Sequence, residues 1–378
     1  MEKRLKEMNK FKAFIKREAM FVIALSAALI SLIFTGFPSE AFSKINWKTL
    51  VSLFMLLTCL EGFKQEKMLD PISSYATRIR KPFVLSLFLI VTIFILSAFI
   101  TNDVALLAFV PITIMIFKKT ERERYIIPIV ALETIAANLG SMLTPFGNPQ
   151  NLFLYSKMDL SGWDFVKTMA PLSAISLGLL IIALTFVFRK DFKDELVIQV
   201  QQEREPIKKS MGMFYFCLFL FTLFGILGNI HWLTILIFFM MLICFFDSKI
   251  LKKIDWYLLL TFLSFFVFST ALSSNGKIMD LLSSLVANNE IATGFVLSQF
   301  ISNVPAAIVL EPFALNLRNL LFGVNIGGLG TLIASLASLI SFRLFSKDEK
   351  GEKGRYLLSF TLWNIAFIAV LLPLSFLL

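Results

Sequence analysis

Two stretches decide how this chain folds: Asn138-Leu139-Gly140-Ser141-Met142-Leu143-Thr144-Pro145-Phe146-Gly147-Asn148-Pro149-Gln150-Asn151, and Asn325-Ile326-Gly327-Gly328-Leu329-Gly330-Thr331. Each sits inside a long apolar segment, 125–155 and 319–341, that would otherwise read as one membrane-crossing helix. Pro145 and Pro149 lack an amide donor and break the helical ladder, while Gly140 and Gly147 allow backbone conformations closed to other residues. At bilayer depth such a break is tolerated only where protein or a water-filled cavity surrounds it. The stretches therefore predict interrupted helices around a polar site. Freed carbonyls and Asn amides there can hold a cation, and the half-helix that follows can turn its positive N-terminal end toward an anion. A proline kink or an external loop at 144–151 is the plainer alternative.

The rest of the composition agrees with a membrane setting. Of 378 residues, 57% are apolar and 16% charged, with 42 Phe and a net charge of +10. The mean hydropathy is +0.79. Ordinary soluble domains are less apolar and more charged, and disordered or collagen-like chains are excluded. Cys59, Cys217 and Cys244 fall in apolar runs with no CxxC, and His231 is the one histidine, so no His/Cys metal cluster is expected. The run 19–37 follows a basic stretch but is longer than a signal-peptide core, and is read as an uncleaved first span. The expected fold is an all-α polytopic membrane protein.

Most of the 36 Lys and Arg fall in six segments: 1–18, 64–81, 117–124, 189–210, 248–255 and 342–356. By the positive-inside rule these are cytoplasmic, so the excess of positive charge reports topology rather than nucleic acid. Both 64–81 and 117–124 are then inside, and the apolar stretch 82–116 between them must leave and re-enter on one side. Two full spans and a turn need roughly 40 residues or more. A re-entrant hairpin with a polar tip at Thr101-Asn102-Asp103 fits better. By the same reasoning 291–316 is a hairpin entering from the outer face, with its tip at Ser302-Asn303. The organisation expected is a cytoplasmic basic N-terminus 1–18, a first half 19–188, a cytoplasmic linker 189–210 and a second half 211–378. The N-terminus lies inside and the C-terminus outside the cell membrane.

The halves also match in sequence. Ile45-Asn46-Trp47 reads against Ile254-Asp255-Trp256, Ser97-Ala98-Phe99-Ile100-Thr101-Asn102 against Ser298-Gln299-Phe300-Ile301-Ser302-Asn303, and Asn138–Thr144 against Asn325–Thr331. Each half runs span, surface helix, hairpin, interrupted span, giving repeats of about 45–188 and 254–378. Insertion from opposite sides makes this an inverted-topology repeat, an architecture of secondary transporters with a site at the bilayer midplane.

At Ile100-Thr101-Asn102-Asp103, Asn138 through Asn151, Ile301-Ser302-Asn303-Val304-Pro305 and Asn325-Ile326-Gly327-Gly328 the chain resembles the ion transporter superfamily. That group includes divalent anion–sodium symporters, citrate transporters, arsenite permeases and a class of sodium/proton antiporters; the nearest resemblance is to the arsenite and citrate permeases. In the symporters each hairpin tip carries Ser-Asn-Thr, which holds sodium and substrate carboxylates together with the unwound spans. Here both asparagines match, as Asn102 and Asn303, and the final threonines are replaced by Asp103 and Val304. The resemblance implies a homodimer and an elevator-like motion of the hairpin-bearing part.

The residues expected to bind substrate or coupling ion are Thr101, Asn102, Asp103, Asn138, Gly140, Thr144, Gly147, Asn148, Ser302, Asn303, Asn325, Gly327 and Thr331, with sodium at Asp103, Asn138, Asn303 and Asn325. Asp103 could cap its helix, bind a coupling cation or carry a proton; an acid at that depth is a functional candidate by default. Glu133 and Glu311 are further proton candidates, or simply hydrogen-bonded and interfacial carboxylates. No cofactor is expected beyond a sodium or proton as coupling ion, and no nucleic acid partner beside the bilayer and a small anionic solute. The chain carries no Walker motif, so it is not expected to drive transport with ATP by itself. An intramembrane lipid-modifying enzyme would need a nucleophile–base pair that one His231 hardly supplies. The leading expectation is a cation-coupled secondary transporter of a small carboxylate or oxyanion, with sodium/proton antiport as the alternative. Single cysteines at Arg80 and Thr120 should label from the same face of intact cells. Labelling from opposite faces would replace the first hairpin with a pair of ordinary spans.

Overall fold

The computed structural model describes residues 14, 18–35, 45–192, 194–196, 209–228 and 230–378. Most of the basic N-terminus 1–18 and of the linker 189–210 lies outside the described residues. Those described are α-helical throughout, joined by short turns and 3-10 helices, with no strand among them. Six helices are long and apolar enough to cross a membrane. Their outer faces carry large exposed apolar side chains such as Ile182, Phe186, Phe238, Met241 and Phe245. A surface of that kind is stable only against lipid or another apolar partner. The protein is an all-α polytopic membrane protein.

In the first half, α1 (Ala19–Thr35) is followed by α2 (Trp47–Gln65), a short surface helix α3 (Asp70–Ala76), the hairpin α4 (Pro82–Ile100) and α5 (Asn102–Lys119), the interrupted pair α6 (Ile126–Ser141) and α7 (Pro149–Lys157), and α8 (Gly162–Val187). The second half runs α9 (Lys209–Leu227), α10 (Trp232–Asp247), α11 (Trp256–Ser273), the exposed α12 (Gly276–Val286), the hairpin α13 (Glu290–Ile301) and α14 (Asn303–Leu310), the interrupted pair α15 (Leu317–Ile326) and α16 (Leu336–Asp348), and α17 (Lys353–Ser375). The order from α2 to α7 thus recurs from α11 to α16.

Local chemistry explains the boundaries. Asn46 and Asp255 cap α2 and α11, accepting the amides of Thr49 and Leu258 at 3.0 Å each, with nearly equal dihedrals of φ −78°, ψ 78° and φ −75°, ψ 83°. Pro82 and Pro149 open α4 and α7, where a missing donor costs nothing. The hairpin turns are one residue long. Thr101 adopts φ 72°, ψ 150° and Ser302 φ 77°, ψ 153°, a region that side-chain-bearing residues avoid at a cost of about 1–3 kcal/mol. The same conformation therefore recurs at equivalent tips, on residues poorly suited to it.

Single contacts tie the hairpins near opposite ends of α17. Before its start, Lys118 at the end of the first hairpin pairs with Glu349, the cap residue of α16, at 2.7 Å. At its far end, Arg318, just after the second hairpin, donates to the Leu378 carbonyl at 2.8 Å. The first hairpin packs on α6 and α16, the second on α15 and α7, so each is clasped by both interrupted helices. Helices α1, α2, α9, α10 and α11 pack among themselves beside this group.

Gly140, expected at the ligand site, is instead a packing position: a Cβ there would lie 2.1 Å from the Phe94 carbonyl of α4. Contact with backbone leaves nothing flexible to yield. Gly140→Ala should destabilise the protein by about 1–3 kcal/mol, the usual range for forced overpacking, seen as a lower unfolding midpoint in detergent. An unchanged midpoint would mean that α4 and α6 separate without cost.

Candidate functional site

The two breaks face each other at the middle of the molecule, and side-chain amides satisfy them. Asn151, one turn into α7, donates to the carbonyls of Met142 at 3.0 Å and Thr144 at 2.9 Å, and more weakly to Ser141 at 3.4 Å. In the second break the equivalent work falls to Gln299 of the second hairpin. Its amide donates to Gly327 and Leu329 carbonyls at 2.9 Å each, and its oxygen accepts the Thr331 amide at 3.0 Å. The freed carbonyls expected to ligate a cation are thus engaged by protein amides, because an unpaired carbonyl in an apolar interior is costly.

A crossed network joins the halves. Asn138 accepts from the Ser335 hydroxyl at 2.8 Å and reaches Ser338 at 3.4 Å. Asn325 accepts from Asn148 at 3.1 Å and donates to Asn151 at 2.7 Å. Positions 138, 148 and 151 correspond to 325, 335 and 338 at constant spacing, so each asparagine meets the same pair of positions in the opposite repeat. Asn148 and Ser335 also occupy the same place as N-caps of α7 and α16. The hairpins are tied in alike: Thr144 donates to the Ala98 carbonyl, and Thr331 to the Gln299 carbonyl at 3.0 Å.

Against this frame lies a cavity of about 420 Å³, lined by Asn102, Asp103, Pro149, Gln150, Ser302, Asn303, Val304, Ser335 and Leu336 and also by Asp255 and Arg343. Those residues include the starts of α5, α7, α14 and α16. Four helix N-termini therefore converge on one space, each with backbone amides that have no intrahelical acceptor. Each end carries roughly half a positive charge, which favours anions. Asn102 donates to Asn138 at 3.3 Å and accepts the Asp103 amide at 3.0 Å. On the other tip, the Asn303 amide and the Ser302 hydroxyl donate to the Ala334 carbonyl at 2.9 and 3.3 Å. The carboxylate oxygen Oδ1 of Asp103 is buried without a hydrogen-bond partner.

Among the expected site residues, Asn102, Asp103, Ser302 and Asn303 line the cavity, and Thr101 forms the turn behind them. Asn138, Asn148 and Asn325 stand behind its wall. Gly147 lets the first break turn tightly against the Ser141 carbonyl, Gly327 packs on Ser298, and Thr144 and Thr331 tie breaks to hairpins. Glu133 is fully buried and accepts from Thr113 at 2.5 Å. Glu311 pairs with Lys157 at 3.2 Å beside a separate cavity of about 710 Å³. Sequence reasoning left out Gln150 and Ser335 in the wall, Gln299 behind it, and Asp255 and Arg343 at the mouth. Gln150 and Gln299 stand inside the stretches that revealed the repeat. Arg343 registered only as topological charge.

A family model described as citrate transporter matches residues 13–321. An uncharacterized transporter of Methanocaldococcus jannaschii is 34% identical over 343 residues, covering 90% of this chain and 92% of its own length. The inner membrane protein YbiR of Escherichia coli is 30% identical over 324 residues, covering 81% and 82%.

If the two amides hold the breaks open, Asn151→Ala and Gln299→Ala should each lower stability in detergent by about 1–3 kcal/mol, the cost of orphaned buried polar groups. They serve different breaks, so the double variant should be close to additive. Parental unfolding midpoints in both single variants would show that the carbonyls find other donors.

Proposed function

The chain is a membrane transporter that belongs to the citrate transporter family, and from that premise we propose that it moves a small anion, a carboxylate or oxyanion, by cation-coupled secondary transport with alternating access. The convergence of four helix N-termini on one cavity supports this reading most directly. It supplies amide donors and positive partial charge, with no fixed cation in the inner wall to hold the anion too tightly for release. Asn102 and Asn303, one from each hairpin tip, offer both donor and acceptor groups to a polyatomic anion.

Asp103 supplies the coupling. As an ionised group in the wall it repels an anion; a sodium ion bound there, or a proton on the carboxylate, removes the repulsion. Anion and cation then favour one another's binding, and that coupling is reciprocal. The unpartnered Oδ1 supports this role, since a carboxylate serving only as a helix cap would have its oxygens engaged. Sodium/proton antiport is the second reading, favoured by the same acid if the cavity takes only cations. The hairpins and interrupted helices would travel as one body past α1, α2, α9, α10 and α11, in an elevator-like motion.

The test is uptake and counterflow in proteoliposomes against citrate, dicarboxylates, sulfate and arsenite, with and without sodium and pH gradients. Asn102→Ala and Asn303→Ala should abolish uptake while the protein still inserts. Asp103→Asn keeps size and capping ability but should lose its response to the driving gradient by roughly tenfold or more, within the usual range of coupling energies, while retaining passive exchange. Asp103→Asn with parental rate and ion dependence would remove Asp103 from coupling. Sodium-driven proton flux without any anion would replace symport with antiport.

A further inference from the structure

We propose that Asp255 and Arg343 form an ion pair that closes the inner mouth of the cavity in the alternate state, taking over from a latch at the outer end, Asn46 and Ser156, that is closed in this structure. The proposal rests on the alternating-access reading and adds to it the residues that hold each state.

The outer latch is explicit. The Asn46 amide donates to the Ser156 hydroxyl at 2.6 Å, and Thr49 lies 3.0 Å from the same hydroxyl. These contacts pin α2 of one helix group to α7 of the other. The neighbouring outer cavity of about 710 Å³ is lined by Asn46, Lys157 and Glu311 but by neither hairpin tip. The site is therefore shut from that side, and the open cavity leads from the tips to Asp255 and Arg343.

The repeat relates the two ends position by position. Asn46 corresponds to Asp255: each follows Ile, precedes Trp, caps its helix through the third residue on and has the same backbone conformation. Ser156 corresponds to Arg343, because the spacing that equates Asn138 with Asn325, Asn148 with Ser335 and Asn151 with Ser338 continues without a gap along α7 and α16. Where α2 packs on α7, α11 and α16 stand on either side of the open cavity. Exchanging the conformations of the repeats opens the Asn46–Ser156 contact and brings Asp255 onto Arg343. The residues at the second contact are of opposite charge, both are exposed to the cavity, and among the described residues neither makes an ion pair. Asp255 caps α11 through Oδ1, which leaves Oδ2 for the guanidinium. An ion pair at a mouth that is wet when open and narrow when shut suits reversible closure, since exposed pairs are weak.

Cysteine pairs decide it. With the exposed Cys217 and Cys244 replaced by Ser and the buried Cys59 retained, Asn46→Cys/Ser156→Cys should form a disulfide readily. Asp255→Cys/Arg343→Cys should form one more slowly, and a variant with all four cysteines should form either bond but not both in one molecule. Ser156→Ala, which removes the outer latch, should speed the 255–343 bond by roughly fivefold, the population shift expected for one hydrogen bond. In transport, Asp255→Arg and Arg343→Asp should each slow exchange and the double variant should recover it. Both disulfides in the same molecule, or no 255–343 bond together with no recovery in the charge swap, would overturn the proposal. The cross-links need no solute, so they report on the latch even if no tested anion is carried; uptake without the 255–343 bond would sink the latch and leave the anion reading standing.

Discussion

A helix broken inside hydrocarbon must find donors for the carbonyls it frees, and the rest of this structure depends on how that demand is met. Asn151 meets it from within the first broken helix, and Gln299 meets it from the neighbouring hairpin. Asn151 is buried and Gln299 half-buried, and each amide serves several carbonyls at once, which water would do in a soluble loop. With the breaks so held, Asn138 and Asn325 can reach across and fix the two halves to each other. The hairpin tips then have a rigid surface to rest on, and the strained turns at Thr101 and Ser302 are held by it. The site is a consequence of solving the backbone problem twice, once in each repeat.

Much of this was legible before any coordinates. The basic segments flanking 82–116 led to the expectation of a helix–turn–helix there, and the structure has one, though its helices of 19 and 18 residues are longer than the length argument expected, and the first is long enough to cross a membrane. Breaks within 138–151 and 325–331 were expected from glycine and asparagine, with proline in the first, in runs that are otherwise apolar; the structure has them at 142–148 and 327–335. The hairpin tips were legible as matched polar pairs, Thr101-Asn102 and Ser302-Asn303. What was not legible was division of labour among polar residues of one type. Gly140 and Gly327 carry the same signature as a ligand-site glycine, yet Gly140 serves helix contact at Phe94 and Gly327 packs on Ser298. Asn138 and Asn325 looked like ligands and turned out to brace the wall, since an amide suits both tasks. Arg343 disappeared into the topological count, because nothing local distinguishes an arginine facing a cavity from one facing the cytoplasm.

The repeats are closest where they build the frame and differ at positions that line the cavities. The bonds of Asn138 and Asn325, the hydroxyl ties of Thr144 and Thr331 and the dihedrals of the two tips all recur. Asp103 corresponds to Val304, and Ser156 to Arg343. A perfectly symmetric pair of repeats would leave the inward and outward states equal in energy and the site without a preferred charge. On the proposed reading, substitutions at so few positions bias the state and the chemistry while leaving intact the frame through which the repeats would exchange roles.

The acid at the first hairpin tip is the most consequential of these departures. Four helix ends at roughly half a charge each bring about two positive charges to the end of the cavity at the hairpin tips, and an ionised Asp103 cancels one; Glu18, Asp255 and Arg343 line other parts of the same space. A second acid at position 304 would cancel the rest and set two carboxylates against each other across the hairpin tips, a like-charge arrangement in which one of them would stay protonated. With no acid at all the cavity would hold an anion whether or not a cation accompanied it, and the gradient of one could not drive the other. One carboxylate at the hairpin tips lies between these limits: on the proposed reading, the tip end of the cavity is strongly positive only when a cation or proton occupies Asp103, and that conditional charge is what links the two fluxes.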